Sequence, residues 1–388
     1  MTLMYRKTFA LIDCDILENN VKDITSKYDY KYYFGIVKAN AYGHGDYIIN
    51  SLIDGGINYL AASSLEECLR LRKRNSEIPI LCLEPIGHEF LDICSMNNIS
   101  ITIPDMDYFK AMNLSLKLTV HIKIDNGMNR LGFKNKNEVK TVYDKLLNSE
   151  YINLEGVYTH FGTSGMWDKH FDDGLLAFKE ITSLIDLTKI PIVHLGRSLT
   201  LVQHPKPDFV NGIRLGIIMF GFDQKMSEPT GLRLIKRNHY LKKNGISPIT
   251  YSNNLELKTA FSLHSEIMCI KDVMAGEYVG YGAKYTATEN IKIGIMPIGF
   301  ADGLIKQNEG LNVNINGKEY PIIGELGMDM TTVLIDESVK LYDEVIIYTD
   351  IKKRTKELGI SAYQLFTQIS TRVPRVYKEK NKLTEINY

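Results

Sequence analysis

The chain alternates short apolar segments with amphipathic helical patterns, and eight repeats of this alternation restrict the folds open to it. The apolar segments are residues 32–38, 57–63, 78–84, 99–105, 118–125, 154–160, 190–196 and 209–216. Residues 64–74 are typical of the intervening stretches, since Leu65, Cys68 and Leu69 are apolar and the remainder is mostly charged. Eight parallel strands joined by crossover helices predict an α/β fold of the (β/α)8, or TIM, barrel type.

A second region begins after the eighth segment. A polar, basic stretch runs from about residue 226 to 254, and we interpret it as a solvated linker or excursion, because it lacks the interleaved aromatic residues of a nucleic-acid surface. Strand-like segments then dominate, and Asn316-Gly317 between alternating segments predicts a hairpin. We predict a barrel over residues 10–250 and a mostly β C-terminal domain over residues 251–388, with residues 1–9 pairing with that domain.

Charge and cysteine content narrow the functional class. Lys+Arg and Asp+Glu both number 46, so no net charge draws the protein to nucleic acid or to an anionic membrane. The five scattered cysteines include no C-x-x-C pair, which favours reduced thiols over disulfides or a zinc site. The apolar run at residues 9–12 is too short for a signal sequence or a membrane span. We predict a cytoplasmic protein that acts on a small molecule and holds no metal.

Lys38 stands where the first predicted strand meets a turn. The segment reads Phe34-Gly-Ile-Val-Lys38-Ala-Asn-Ala-Tyr42-Gly-His-Gly45. Barrel enzymes place catalytic residues at this end of a strand. The lysine amine can form an imine with an aldehyde, and Tyr42 and the amides of the turn can bind a phosphate. An aldehyde and a phosphate are the two binding groups of pyridoxal phosphate, which we predict as the cofactor; the alternative is a solvated lysine at a strand end.

Polar residues also follow four of the later predicted strands. They are Lys123 and Arg130 after the fifth, His160 after the sixth, Arg197 and Ser198 after the seventh, and Arg214, Gly216 and Ile217 after the eighth. The loops after strands seven and eight commonly bind phosphate, for which Ser198 offers a hydroxyl and Gly216 and Ile217 offer amides. Taken singly, His160 is explained equally well as a core histidine, and Lys123 or Arg130 as a surface charge.

The motifs together resemble the alanine racemase family over nearly the whole chain. In order, they are the Lys38 motif, residues 123–132, Thr159-His-Phe, Arg214-Leu-Gly-Ile, Val279-Gly-Tyr281-Gly, residues 297–303, Gly327-Met-Asp329-Met and residues 370–375. The resemblance implies a pyridoxal-phosphate-dependent racemase that interconverts L- and D-alanine and supplies D-amino acids for cell-wall synthesis. It also implies a head-to-tail homodimer with shared active sites.

The resemblance assigns two bases, which racemisation requires because protons are exchanged on both faces of a planar carbanion. Lys38 is the imine lysine and the base for the D-side proton. Tyr281 of the partner subunit is the base for the L-side proton. A tyrosine pKa of about 10 needs a positive neighbour such as His160 or Arg214 for this task.

The resemblance further assigns binding roles. Tyr42, Ser198, Gly216, Ile217 and Thr371 contact the cofactor, and His160 braces Arg214 at the pyridine nitrogen. Because an arginine does not give up its proton, the nitrogen stays unprotonated and side reactions such as transamination are suppressed. The substrate is contacted by Arg130, Met328 and Asp329, and Lys123, often carbamylated in this family, braces Arg130.

Five positions depart from the family pattern. The family usually has tyrosine at Thr371 and tyrosine at Phe300, arginine at Lys306, an acidic residue at Gly165 and asparagine at Arg197. The loss of the tyrosine ring at Thr371 enlarges the expected pocket, so a serine racemase or a racemase of broad specificity is the main alternative. A barrel decarboxylase would place an acid where Arg214 stands, and a non-enzymatic cofactor-binding protein would lack the region that carries Tyr281.

Overall fold

The computed structural model describes residues 6–163 and 169–386. The chain forms two compact units. The sheet unit comprises the described parts of Met1–Leu17, Tyr42–Ile48 and Thr259–Tyr388, and the barrel unit comprises Glu18–Ala41 and Ile49–Lys258. None of the described helices combines the length and the apolar character that a membrane span requires.

Strand β1 (Phe9–Asp13) opens the described chain, and the eight strands of the barrel follow it. They are β2 (Tyr32–Ile36), β3 (Tyr59–Ala62), β4 (Ile80–Cys82), β5 (Ile99–Ile103), β6 (Leu118–Lys123), β7 (Ile152–Tyr158), β8 (Ile192–His194) and β9 (Gly212–Leu215). Each pairs in parallel with its neighbour, and β9 closes on β2 with Tyr32 opposite Gly212. The predicted (β/α)8 barrel is confirmed, strand for strand. Its closure brings the carboxyl ends of all eight strands to one rim.

The α-helices lie between and after these strands. Their bounds are Cys14–Lys27, Ile49–Asp54, Leu65–Arg74, Leu91–Met96, Met106–Ala111, Lys136–Leu147, His170–Ile181, Ser198–Gln203, Gly231–Asn244, Ile351–Leu358 and Ala362–Gln368. Short 3-10 turns occur at Asp46–Ile48, His88–Phe90, Leu187–Lys189, Ile217–Phe220, Tyr281–Ala283, Phe300–Asp302 and Lys306–Asn308.

The helix predicted over residues 64–74 is confirmed as Leu65–Arg74. The Ser64 hydroxyl caps it by accepting a hydrogen bond of 3.4 Å from the Glu67 amide. Acidic residues occupy its first turn and basic residues its last, which suits the helix dipole. Of the apolar residues named from the sequence, Cys68 is buried and Leu65 and Leu69 are half-buried, and Leu71 is buried beside them. This side of the helix therefore faces the core.

The basic stretch after residue 226 contains a helix in its central part, which the sequence did not predict. Residues Gly231–Asn244 form a helix that ends at Gly245, whose φ of 60° is a left-handed conformation that glycine adopts readily. Arg237 and Leu241, four residues apart, are buried on one side of this helix. A pattern with so few apolar positions gave too weak a periodicity for the sequence to predict the helix.

The sheet unit contains a ten-stranded sheet and a two-stranded ribbon. After β1, its strands are β10 (Phe261–Glu266), β11 (Cys269–Val273), β12 (Tyr278–Val279), β13 (Tyr285–Thr286), β14 (Ile291–Met296), β15 (Asn312–Ile315), β16 (Lys318–Ile323), β17 (Thr331–Ile335), β18 (Glu344–Tyr348), β19 (Arg375–Glu379) and β20 (Lys382–Ile386). The large sheet has the order β11-β14-β17-β16-β15-β18-β10-β1-β19-β20, and β12 pairs with β13. The prediction that a mostly β region follows the barrel is confirmed.

The predicted Asn-Gly hairpin is also confirmed. Strands β15 and β16 pair antiparallel, with Ile315 opposite Lys318. Asn316 and Gly317 between them have φ angles of 53° and 82°. A two-residue turn of this type requires positive φ at both positions, which asparagine and glycine tolerate better than other residues.

Candidate active site

Lys38 lies directly beyond β2, at the carboxyl-end rim of the barrel, and is half-buried. The chain then makes a left-handed turn, in which Ala39, Asn40, Ala41 and Tyr42 all have φ between 50° and 53°. A left-handed conformation costs a residue with a β-carbon about 1–2 kcal/mol. Four such residues in succession require support from the surrounding structure, and strain held in this way is characteristic of functional sites.

Glu67 supplies part of that support. One of its carboxylate oxygens accepts a hydrogen bond of 2.6 Å from the Ala39 amide, and the other accepts one of 2.9 Å from the Ser63 amide. Ser63 follows β3, so a single carboxylate joins the turn after Lys38 to the end of the neighbouring strand. Hydrogen bonds from amides to an ionised carboxylate are among the stronger ones in proteins. The position of Lys38 on the rim is thereby fixed from the adjacent strand.

Arg214, on β9, is almost fully buried, and its guanidinium donates four hydrogen bonds. Nη1 donates to Nδ1 of His194 at 3.1 Å and to the His194 carbonyl at 3.0 Å. Nη2 donates to the Thr159 carbonyl at 2.5 Å and to Nδ1 of His160 at 3.3 Å. A guanidinium has five N–H groups. These four bonds use every Nη–H. Within residues 6–163 and 169–386 the Nε–H of Arg214 donates no hydrogen bond, so it is available to a ligand.

Burial determines the protonation states of Arg214 and His160. It lowers the pKa of Arg214 from 12.5 to about 10, so the side chain remains a cation at neutral pH. Burial, followed by the positive charge of Arg214, lowers the pKa of His160 from 6.5 to about 2. His160 is therefore neutral at physiological pH, so it does not supply the positive neighbour expected for Tyr281. It can accept a hydrogen bond from Arg214 through Nδ1. The predicted contact between His160 and Arg214 is present in the geometry.

Lys123, the last residue of β6, is buried with its Nζ 4.3 Å from the centre of the Tyr158 ring. Burial, and then the positive charges of Arg214 and Arg130, lower the pKa of Lys123 well below its usual value, and Asp125 acts in the opposite direction. A lysine with a lowered pKa has a larger fraction of neutral, nucleophilic amine.

Arg130 is exposed, in the loop that follows β6. The start of this loop is organised by Asp125, whose Oδ1 accepts hydrogen bonds from the amides of Gly127 and Asn129 at 3.1 and 3.0 Å. Such side-chain to backbone bonds define an Asx-type turn. The turn holds Arg130 close to the rim without burying it.

The loops after β8 and β9 are tied together at Ser198. Its Oγ accepts a hydrogen bond of 3.0 Å from the Gly216 amide. Ser198 is the first residue of a helix, and Ile217 begins a 3-10 turn, so the first backbone amides at both points have no partner within their own helix. Nε of Arg197, next to Ser198, is buried and has no hydrogen-bond partner in residues 6–163 and 169–386. These donors suit an anionic group such as a phosphate.

In the sheet unit, Tyr281 occupies a 3-10 turn between β12 and β13. Gly280 and Gly282 on either side have φ angles of 73° and 64°. Positive φ at both neighbours requires glycine and presents the tyrosine outward, with 70% of its surface exposed. Tyr42, also in this unit, is buried against the ring of Tyr363 at 5.5 Å, and burial raises its pKa.

A buried carboxylate organises the remaining predicted residues of the sheet unit. Asp302 is fully buried and binds Nη1 of Arg6 at 2.7 Å, and its Oδ1 lies 3.8 Å from Nε of Arg372. Arg372 donates in turn to Asp329 at 2.7 Å. These contacts bring the Met328 and Thr371 loops, both exposed, to the same part of the sheet unit.

Two models of protein families match the chain. Residues 12–224 match the N-terminal domain of alanine racemase, and residues 260–377 match its C-terminal domain. The chain belongs to the alanine racemase family. The predicted family is thereby confirmed, and the protein is an isomerase of the amino-acid racemase class.

Relatives and solved structures of alanine racemases agree with this assignment. The alanine racemase of Streptococcus gordonii is 32% identical, over 97% of this chain and 99% of the relative. Alanine racemase 1 of Bacillus subtilis is 30% identical, over 98% and 96% of the two chains. The solved alanine racemase of Clostridium difficile 630 superposes with a TM-score of 0.84 at 32% identity, covering 99% of both chains.

Within this alanine racemase fold, the structure gathers six predicted residues on the barrel rim, namely Lys38, Lys123, His160, Ser198, Arg214 and Gly216, with Ile217 and Arg130 beside them. The predicted residues Tyr42, Tyr281, Met328, Asp329 and Thr371 lie in the sheet unit. Of the departures from the family pattern, Phe300 is exposed and Lys306 lies 3.8 Å from Glu325. Gly165 falls outside the described residues.

The rim suits pyridoxal phosphate, the cofactor that alanine racemase family membership implies. Lys38 supplies an amine, the Nε–H of Arg214 remains available, and donors cluster around Ser198. Three site residues were not predicted from the sequence: Glu67, His194 and Asp302. For His194 a signal existed, since it ends β8 just before the Arg197-Ser198 pair. Asp302 lies within the family motif at residues 297–303, but no role was predicted for it there. Glu67 carried no signal, because it acts through a contact with a residue distant in sequence.

Proposed function

We propose that this protein interconverts L- and D-alanine with pyridoxal phosphate bound to Lys38. The proposal rests on the environment of Arg214. This residue is a buried cation, and its four hydrogen bonds leave one N–H group for a ligand. When bound, pyridoxal phosphate withdraws electrons from the substrate Cα, so that its proton can be removed. An arginine that stays protonated limits this withdrawal, which favours proton exchange over transamination.

Two side chains exchange the proton in this proposal. Nζ of Lys38 removes or returns the Cα proton of the D-enantiomer, and Oη of Tyr281 of the partner subunit does so for the L-enantiomer. The glycine-flanked turn supports this role, since it leaves Tyr281 exposed on its own subunit. A base on each face of the Cα is the minimum that racemisation requires.

Cofactor and substrate contacts follow from the same assignment. Tyr42, Ser198, Gly216, Ile217 and Thr371 hold the phosphate, and His160 keeps Arg214 in position. Arg130, Met328 and Asp329 contact the substrate at its carboxylate end. We also propose that Lys123 is carbamylated, because its lowered pKa favours the neutral amine that reacts with carbon dioxide. The carbamate would place a negative charge between Arg214 and Arg130.

The proposal also covers the assembly, the location and the biological role of the protein. We propose a homodimer with shared active sites, a location in the cytoplasm and a supply of D-alanine to cell-wall synthesis. The domain limits 10–250 for the barrel and 251–388 for the C-terminal β domain, with residues 1–9 pairing with the second, stay a prediction.

Serine is the second candidate substrate, as part of a broader specificity. Thr371 is exposed and has a smaller side chain than the tyrosine usual in the family, so a substrate with an added hydroxyl has more room. A barrel decarboxylase is disfavoured because Arg214, and not an acid, occupies the position near the pyridine nitrogen.

The test is racemisation of a panel of L-amino acids, followed by chiral chromatography. We expect alanine and then serine to give the highest kcat/KM. Lys38→Ala should lower the rate by orders of magnitude, and borohydride reduction with peptide mapping should place the cofactor on Lys38. Lys110→Ala, at an exposed helix position, is the control and should behave as the wild type. Attachment of the cofactor to another lysine, or decarboxylation in place of racemisation, would refute the proposal.

A further inference from the structure

A chain of hydrogen-bonded side chains runs inside the barrel, from Arg214 to Glu155. Nδ1 of His194 accepts from Arg214 at 3.1 Å, and Nε2 of His194 lies 3.1 Å from Nδ1 of His121. Nε2 of His121 lies 3.0 Å from Oε2 of Glu155. Both imidazoles are fully buried. The chain thus leads from the catalytic rim into the barrel along three consecutive hydrogen bonds.

Arg214 fixes the direction of every bond in this chain. A guanidinium only donates, so Nδ1 of His194 must accept, and a neutral His194 carries its proton on Nε2. That proton is donated to Nδ1 of His121, which therefore carries its own proton on Nε2 and donates it to Glu155. An imidazolium at His121 would put a second N–H opposite Nε2 of His194, and His194 would then have a donor at both nitrogens and no proton of its own.

The far end of the chain is an ionised carboxylate. Burial is the largest single influence on Glu155 and raises its pKa, but the contacts with His121 and the hydrogen bond from Tyr59 together outweigh burial and hold the pKa below its usual value. The hydroxyl of Tyr59 also donates to Oε2 of Glu155 at 2.7 Å, and Tyr59 is bonded to Ser100 at 2.8 Å. Glu155 therefore holds a negative charge at a fixed place in the barrel.

Glu155 supplies a negative charge that the direct hydrogen-bond partners of Arg214 lack. The four acceptors of Arg214 are two carbonyls and two neutral imidazoles, so none of them carries a compensating charge. A buried charge without compensation is costly. Aligned hydrogen bonds polarise one another, and a row of donors pointing from a cation to an anion is stabilised at each step.

Two glycines, Gly156 and Gly212, leave space for the imidazoles of His121 and His194. A β-carbon on Gly156 would lie 2.2 Å from Nδ1 of His121, and one on Gly212 would lie 2.9 Å from Cβ of His194. The ring of His194 also stacks on Phe34 and on Tyr158, with centroid distances of 4.3 and 4.5 Å. Both rings are therefore held where the hydrogen bonds require them.

We propose that Glu155, His121 and His194 form a positioning relay that holds the Arg214 guanidinium in place and compensates its charge. This inference rests on the proposed role of Arg214 at the cofactor. The relay touches neither substrate nor cofactor, so its members are positioning residues. It acts by keeping Nδ1 of His194 an acceptor, and thereby keeps the Nε–H of Arg214 directed at the ligand.

The first test is independent of activity. Neutron diffraction from cofactor-free crystals of the full chain should show a deuteron on Nε2 and none on Nδ1 in both His121 and His194. A deuteron on Nδ1 of either ring would overturn the relay. If the wild-type enzyme racemises no amino acid, the proposed function fails, and this measurement still decides whether the relay exists.

The second test uses kinetics of the holoenzyme. Glu155→Gln keeps an acceptor but removes the charge, and because charge-assisted hydrogen bonds are roughly twice as strong as neutral ones, kcat should fall about tenfold with little change in KM. Glu150→Gln, an exposed position five residues earlier in the chain, is the matched control and should be unaffected. Wild-type kcat in Glu155→Gln would refute the relay.

A double-mutant cycle separates the relay from a general structural role. In His194→Asn, the amide oxygen can replace Nδ1 as an acceptor for Arg214, but the connection to His121 is lost. We expect a loss similar to that of Glu155→Gln and no further loss in the double variant, because both changes break the same chain. Additive losses, or losses that follow the melting temperature of the variants, would contradict the relay.

Discussion

The carboxylate of Glu67 accepts a hydrogen bond of 2.6 Å from the amide of Ala39, the residue that follows Lys38. Because the same carboxylate also binds the amide of Ser63, the left-handed turn is anchored to the end of β3. The placement of the proposed catalytic lysine thus depends on a residue that makes no contact with a reacting atom in the proposed chemistry.

We predict that Glu67→Gln weakens this anchor. A carboxamide has one acceptor oxygen, so it can satisfy only one of the two amides and turns an NH2 group toward the other. The anchor of the strained turn then loses one of its two charge-assisted hydrogen bonds, and the turn should relax. We expect a lower melting temperature and a fall in kcat of about tenfold or more, measured by calorimetry and steady-state racemisation. Glu66→Gln, exposed on the same helix, is the control, and equal behaviour of the two variants would exclude the anchor.

His160 should make the stability of the protein depend on pH. Its pKa is lowered from 6.5 to about 2, so below pH 6.5 the unfolded chain binds a proton that the folded protein does not. The contribution of His160 to the free energy of unfolding is present above pH 6.5 and is lost as the pH falls. The loss amounts to about 2 kcal/mol between pH 8 and pH 5. In His160→Gln, the melting temperature should fall less over this interval. Exposed His239→Gln should keep the wild-type dependence, and an unchanged dependence in His160→Gln would rule out this contribution.

Shared active sites can be tested by mixing inactive subunits. Lys38→Ala and Tyr281→Phe each remove one proposed base, and a mixed dimer with shared sites regains one site that holds both. Co-refolded or co-expressed mixtures should recover up to about a quarter of the wild-type activity, since half of the random dimers are mixed and each has one complete site. Either variant alone should stay inactive. Inactive mixtures that contain verified mixed dimers would show that the two bases come from the same chain.

Substrate selectivity should depend on Thr371. Threonine keeps a hydroxyl for the phosphate but leaves space that a tyrosine ring would fill beside the substrate. Pockets separate such near-isosteres by about 1–3 kcal/mol, so both alanine and serine should be turned over. Thr371→Tyr should lower kcat/KM for serine more than for alanine, and Thr371→Ser serves as the control without added bulk. If the ratio of the two constants does not change, Arg197 is the next position to exchange.

The sequence by itself determined the parts of this protein that depend on local pattern. Eight apolar segments predicted the strands β2–β9, because period and length are properties of neighbouring residues. Asn316-Gly317 predicted its hairpin for the same reason, since the turn requires only two residues that tolerate positive φ. The motif around Lys38 and its order with the later motifs predicted the family.

Only the tertiary structure decided which residues position the side chains of the site. His121 and His194 are 73 positions apart and become hydrogen-bonded only when β6, β7 and β8 pair in register. Arg6 and Asp302 are 296 positions apart and form an ion pair in the sheet unit. Glu67 lies on an amphipathic helix and looks like an ordinary solvated acid until the turn after Lys38 is placed beside it. Such contacts leave no periodic trace in a single sequence, because each depends on one pair of positions that the fold brings together.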